Sequence, residues 1–391
     1  MPTRRAVAIA SCLLVTGLAA CSGGAAPQGE APPTKTPAPP ATVSMATPKG
    51  GVDPVLATQF VAFGAKGGEV TDVRVERADG TPLPASVAPD GTLARWSKTP
   101  QAWRLSGVLA PKTAYRATVT GRNADGVEAR RTFAFTTNDA PRIQTRVNPG
   151  DDQVVGVGMP IQLRFSRAVP DKAALERHLS IKTVPPVTGS WGWADDVTVL
   201  WRPKTFWPAG TKVSAAIDVA DHHLGKGLFG GTKRTVAFTV GRDLRMTVND
   251  DTHEMTVTQA GKTVGTFPVS LGKPGHTTRS GTKIVYEKHT PYTMRGEAAD
   301  PYVTTVTHAQ RITDSGEFLH AAPWSVGDQG RRNVSHGCTN LSPSAAAWLY
   351  SRTLIGDPVV TTGTGRKAET WNGLGGIWNF TYAQWQARSA L

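Results

Sequence analysis

The sequence predicts a mainly β protein of three or more domains, on three observations. At 391 residues the chain exceeds what one ordinary core holds, at about 100 to 200 residues per domain. Glycine (41) and proline (29) are plentiful and long runs of helix formers are lacking, which favours short strands joined by turns. Apolar residues alternate with period two, as at Tyr115, Ala117, Val119 and at Ile161, Leu163, Phe165, the pattern of strands with one buried face.

Taken in order, residues 1–21 read as a secretory signal. Arg4 and Arg5 precede a short apolar stretch from Ala6 to Leu14, and small residues lead to Leu18-Ala19-Ala20-Cys21. That run is too short to span a bilayer permanently. Leu-Ala-Ala-Cys resembles the bacterial lipobox, which implies lipidation of Cys21, a membrane anchor and an extracytoplasmic location facing the cell wall. Residues 22–50 are rich in Pro, Ala, Thr and Gly without an aromatic residue, and are expected to form a disordered stalk.

Two β-rich copies follow. Arg131-Thr132-Phe133-Ala134-Phe135-Thr136 recurs as Arg234-Thr235-Val236-Ala237-Phe238-Thr239, and Trp103-Arg104 recurs as Trp201-Arg202. About 100 residues per copy suits immunoglobulin-like sandwiches at 51–139 and 140–241, which serve as a spacer. His222-His223 is not read as a metal site, since adjacent strand residues face opposite ways. Beyond Leu244 the pattern stays β and leads into a polar, glycine-punctuated loop from Ser270 to Thr282, whose composition suits the wall of a cleft.

The formal charge of +13 is spread along the chain rather than gathered into a patch, which argues against nucleic acid and suits an anionic envelope. The cysteine count is more informative. Cys12 lies in the signal, Cys21 would be consumed by lipid, and Cys338 is the remaining thiol, with no cysteine to pair with. Acyl transfer by a thiol needs a base and donors for an oxyanion. His320 and His336 are the candidate partners, and an adjacent imidazole lowers a thiol pKa by ion pairing. On a strand His336 and Cys338 would share a face, with Gly337 between them admitting another backbone. Two histidines and a cysteine also suit zinc, but a fourth ligand is not evident; no metal or cofactor is expected.

The run His320-Ala321-Ala322-Pro323-Trp324-Ser325-Val326-Gly327, followed by Ser335-His336-Gly337-Cys338-Thr339-Asn340, resembles the signature of L,D-transpeptidases. The resemblance implies a catalytic β-sandwich domain at 242–363 with a small C-terminal subdomain at 364–391. It implies that Cys338 attacks the third residue of a tetrapeptide stem of peptidoglycan and passes the acyl group to diaminopimelate on another stem. His320 would be the base and His336 would shape the oxyanion site, with the Gly337 and Cys338 amides as donors. Tyr302, Ser315, Gly316, Trp324 and Asn340 would line the substrate cleft, with Tyr302 on a flap that keeps water from the thioester. β-Lactams of the carbapenem class would be inhibitors.

Three departures stand out. Ala321 replaces a serine after the base, a main-chain carbonyl there being expected to orient His320; Thr339 replaces an apolar residue; Arg279 stands where proline is common. Trp371, Trp378 and Trp385 recur every seven residues, but Gly373, Gly375 and Gly376 rule against a heptad helix, so packing of the tail on the catalytic domain is favoured over sugar stacking. Two alternatives stay open: a carboxypeptidase that hydrolyses the same stems with the same residues, and a non-catalytic wall-binding lipoprotein.

Overall fold

A computed structural model describes residues 35–47, 61–80, 94–95, 102–104, 109–296 and 300–391. The expected signal and Cys21 lie outside them. The first sandwich places strand Thr42–Thr47 beside Ala62–Lys66 in one sheet and Gly68–Arg77, Ala114–Asn123 and Glu128–Thr136 in the other. Its core gathers Val43, Met45, Phe63, Val73, Val119 and Phe135. Tyr115, 1 % exposed, accepts the Ala110 N–H at 2.8 Å through its hydroxyl, a corner that ties a strand to the chain just upstream.

The stalk expected at 22–50 is corrected at residues 42–47, while 22–34 and 48–50 lie outside the described residues. Residues 42–47 are an edge strand because Val43 and Met45 face the core while Thr42 and Ser44 face solvent. Composition averaged over the whole segment hid that alternation.

The second sandwich repeats the plan. Strand Lys233–Val240 pairs antiparallel with Lys212–Asp218, as Glu128–Thr136 does with Ala114–Asn123, so the copied hexapeptides occupy equivalent strands. Ile161, Leu163, Phe165, Val199, Trp201 and Phe238 form its core, which continues into Ile284 of the next segment. At that junction Gly156 and Gly158 donate to Ile355 and Gly356 carbonyls at 2.7 and 2.8 Å. A Cβ on Gly156 would lie 2.2 Å from Asp357 N, so the two backbones meet only because the residue is glycine.

The C-terminal segment holds a six-stranded sheet in the order Lys262–Pro268, Glu254–Gln259, Leu244–Asn249, Pro358–Thr362, Arg279–Ile284, Arg366–Lys367. Strand Leu244–Asn249 ends in a turn, where the Asn249 side chain accepts the Asp251 N–H at 2.9 Å. A four-stranded sheet contains Phe318–Ala321 beside Thr339–Leu341, and helix Pro343–Arg352 packs against it. The helix starts where Ser342 accepts the Ala345 N–H and Pro343 pre-sets the first turn. Met246, Val257, Leu271, Leu319, Leu341 and Leu349 fill the core between sheets and helix.

The tail corrects a second expectation, because it packs on the second sandwich as well as on the six-stranded sheet. Trp385, fully buried, donates to Ser190 O at 2.9 Å and leaves no room for a Cβ on Gly192. Trp378 donates to Gly158 O at 2.8 Å, and the Arg202 guanidinium lies 4.8 Å from its ring centre. Glu176 of the sandwich accepts Ala390 N–H at 2.8 Å. The reason is chemical: the sandwich offers main-chain carbonyls and an apolar face around Leu200, which indoles fill while their N–H groups stay bonded.

Candidate active site

Strand Phe318–Ala321 is buried along its length and runs parallel to Thr339–Leu341, with His320 opposite Asn340. Side chains at paired positions share a face of the sheet, so His320 and Asn340 project together, and Cys338 immediately precedes the neighbouring strand. His320 and Cys338 line one cavity of about 430 Å³ with Met294, Tyr302, Trp324 and His336. A second cavity of about 360 Å³ is lined by Gly337, Gly316, Glu317, Arg279 and Arg295.

Cys338 is 6 % exposed, and its sulfur lies 3.7 Å from Gly316 O. Burial pushes the thiol up to about 12, and the Glu317 carboxylate adds to that, against a backbone hydrogen bond from Phe318. Burial pushes His320 below its ordinary value, opposed by the bond its Nδ1 makes to Ala321 O at 2.9 Å. Desolvation disfavours the charged form of each group, which opposes the expected ion pair of thiolate and imidazolium. With Nδ1–H bonded to the carbonyl, Nε2 carries the lone pair and is free to accept a proton.

His336 and Cys338 are not on a strand, as the spacing had suggested. Gly337 between them has φ +119°, a conformation side-chain-bearing residues rarely adopt, so the chain bends there. The nearest atom to a Cβ at Gly337 would be His276 O at 3.6 Å, so backbone angle rather than crowding requires glycine. His336 turns to a polar cluster, its Nε2 2.9 Å from both Lys273 Nζ and Asp300 Oδ2. His276 joins at 3.2 Å from Asp300. These three, His276, Asp300 and His336, are grouped closely enough to hold a metal, but the Lys273 ammonium already sits among them. Cys338 is outside that group.

The expectation that Gly337 lends its amide to an oxyanion is corrected: its N–H donates to Ser335 Oγ at 3.0 Å. Ser335 Oγ in turn donates to Cys338 O at 2.7 Å.

The remaining sequence-predicted residues lie around this centre. Tyr302 packs 4.7 Å from the His336 ring, and burial raises its pKa, with Cys338 a smaller cause. Trp324 is 57 % exposed at the cavity mouth, its ring 6.0 Å from His320. Asn340, buried, donates to Ser325 Oγ at 3.0 Å and so braces the turn Pro323–Ser325. Ser315 is held by the tail, its N–H donating to Asn372 at 2.9 Å. Arg279, one of the departures, is taken up by ion pairs with Glu317 and Glu369 at 3.0 and 2.6 Å. His222 stacks on His178 at 3.6 Å, and His223 faces Phe229. Sequence reasoning missed Lys273, His276, Thr278, Asp300 and Glu317 as individual neighbours of the His336–Cys338 segment. The first three belong to the polar loop expected to line a cleft, and Glu317 adjoins Gly316, the positional signals that could have found them.

Residues 243–361 match the family described as L,D-transpeptidase catalytic domain, and residues 53–223 match a bacterial Ig domain. L,D-transpeptidase 2 of Mycobacterium tuberculosis (strain CDC 1551 / Oshkosh) is 36 % identical over 338 residues, 84 % of this chain and 80 % of that protein. The chain belongs to the L,D-transpeptidase family. L,D-transpeptidase 1 of Mycobacterium tuberculosis (strain ATCC 25618 / H37Rv) is 35 % identical over 56 % of this chain and 84 % of its own length. A solved L,D-transpeptidase in complex with imipenem superposes with a TM-score of 0.50 at 34 % identity, covering 57 % of this chain and 99 % of that one. L,D-transpeptidases are acyltransferases with a cysteine nucleophile, and this family member is an enzyme of that class.

Proposed function

We propose that this L,D-transpeptidase cross-links peptidoglycan through a thioester on Cys338. The observation that carries the reading is the buried Cys338 thiol sharing a cavity with His320, whose Nδ1 is fixed on Ala321 O. As sulfur attacks the carbonyl of the third stem residue, His320 takes the thiol proton, then returns it to the departing D-alanine amine. The side-chain amine of diaminopimelate on a second stem then attacks the thioester and gives its proton to His320; the carbon–sulfur bond breaks, and the departing Cys338 sulfur takes that proton back as the thiol. Tyr302 and Trp324 border the cavity and limit water, which would hydrolyse the thioester. The complex of a relative with imipenem supports carbapenems as ligands of this site, and we propose that they acylate Cys338.

We also propose that the chain is exported and anchored by lipid on Cys21. Its support is the Leu18-Ala19-Ala20-Cys21 sequence; among the described residues no helix is long and apolar enough to cross a membrane. One experiment tests both readings: the protein is extracted from cell membranes, exposed to imipenem and weighed intact. The expected masses show a lipid on an N-terminal Cys21 and one imipenem adduct, the adduct disappearing in Cys338→Ser. An unlipidated N-terminus refutes the anchor, and an adduct that survives Cys338→Ser refutes the nucleophile.

A further inference from the structure

The polar groups around Cys338 are unequally engaged. Ser335 Oγ takes the Gly337 N–H and donates to the Cys338 carbonyl, which leaves the Gly337 carbonyl and the Cys338 N–H. Thr278, 1 % exposed, reaches the first of these from a neighbouring loop. Its Oγ1 accepts the Gly272 N–H at 2.9 Å and lies 2.9 Å from Gly337 O. A hydroxyl has one proton, and with Gly272 acting as donor that proton goes to Gly337 O.

The Gly337–Cys338 peptide is trans, since the cis bonds are three X–Pro bonds elsewhere. In a trans peptide the C=O and N–H point opposite ways. Holding Gly337 O on Thr278 therefore aims the Cys338 N–H away from that loop, and it has no hydrogen-bond partner among the described residues.

We propose that Thr278 is a positioning residue for acyl transfer: its hydroxyl sets the tilt of the Gly337–Cys338 peptide so that the Cys338 N–H meets the carbonyl oxygen as sulfur adds. The proposal rests on Cys338 being the nucleophile. When the sulfur–carbon bond forms, the carbonyl π pair moves to oxygen and the thiol proton to His320, and that oxygen needs a donor already aimed at it.

Two observations make this more than filling of space. Gly337 is in a conformation that favours glycine, so its peptide planes rotate easily unless an outside bond holds them. Thr278 is itself held. The next residue, Arg279, donates through its main-chain N and Nη1 to Glu317 Oε1, both at 3.0 Å, and Lys283 Nζ lies 3.3 Å from the other oxygen. Glu317 stands between Gly316 and Phe318, the two residues whose backbones contact the thiol.

The test compares two reactions of Cys338 in the full chain, followed by mass spectrometry. Acylation by imipenem passes through an oxyanion; alkylation by iodoacetamide does not. In Thr278→Val, acylation slows by about 10- to 100-fold while alkylation stays within about twofold, and Thr278→Ser restores acylation to within about threefold. Should the valine variant fail to fold, Thr278→Ala carries the same comparison. Acylation at the unsubstituted rate, an equal fall of both reactions, or failure of serine to restore acylation overturns the proposal alone. Absence of both adducts from the unsubstituted protein overturns the nucleophile reading, and this proposal with it.

Discussion

Two buried polar regions of this enzyme are finished differently. At the junction of the second sandwich with the catalytic segment, Gly156 and Gly158 are bonded across the seam, and the Asp357 carboxylate accepts Arg242 at 2.9 Å and the Leu354 N–H at 2.7 Å. Around Cys338 a comparable set of bonds encloses a thiol with one long contact and an amide with no partner among the described residues. A saturated cluster resists motion and offers nothing to a ligand. The unsaturated one keeps the same rigidity but leaves a nucleophile and a donor free to engage a reacting carbonyl. The comparison predicts that changes at the site alter rate more than stability, and changes at the junction the reverse.

The largest effect is expected from His320→Gln. Imipenem acylation of Cys338 should fall by about 100- to 10,000-fold, while unfolding free energy moves by less than about 2 kcal/mol. Because burial holds His320 below its ordinary value, acylation by the unsubstituted enzyme should decline only below about pH 6.5. A variant that acylates within about threefold of the unsubstituted rate is not missing its base.

Trp385→Ala comes next and inverts the pattern. Loss of a fully buried indole should cost about 3 to 5 kcal/mol in denaturant unfolding, with acylation of the folded fraction unaltered. A cost under about 1 kcal/mol would mean the tail is not a structural part of the sandwich.

The smallest effect is expected from Arg242→Met, and it depends on pH. Burial raises Asp357 to about 6, against the Arg242 and Leu354 bonds that pull it down. A folded pKa above the unfolded one gives stability that is complete below about pH 4 and lost as pH rises through about 6. Removing Arg242 raises Asp357 further, so the deficit should be small at pH 5 and reach about 1 to 3 kcal/mol at pH 8. Equal deficits at both values would uncouple Asp357 from the loss.

The fold was legible where periodicity and repetition coincide, as in the paired hexapeptides of strands Glu128–Thr136 and Lys233–Val240. Strand Thr42–Thr47 was not, because its alternation is short and lies within a proline-rich stretch. Cys338 and His320 were legible from the thiol count and the motif. Thr278 and Asp300 carry no periodic signal, and the loop holding Thr278 reaches the thiol only through tertiary bridges such as Gly272 to Ser335. Burial, which opposes charge on the thiol and the imidazole alike, is not reported by spacing.

The tail contacts have a consequence for biosynthesis. Trp385 bonds Ser190 across 195 residues of sequence, and Ala390 bonds Glu176 across 214. Chains emerge N-terminus first, so the second sandwich is synthesised long before the residues that cover its outer face. Until they arrive, the apolar ground around Leu200 stays bare, and such late contacts slow folding. A chain cut short before Trp385 would therefore display an adhesive surface, so the fold itself distinguishes finished from unfinished molecules.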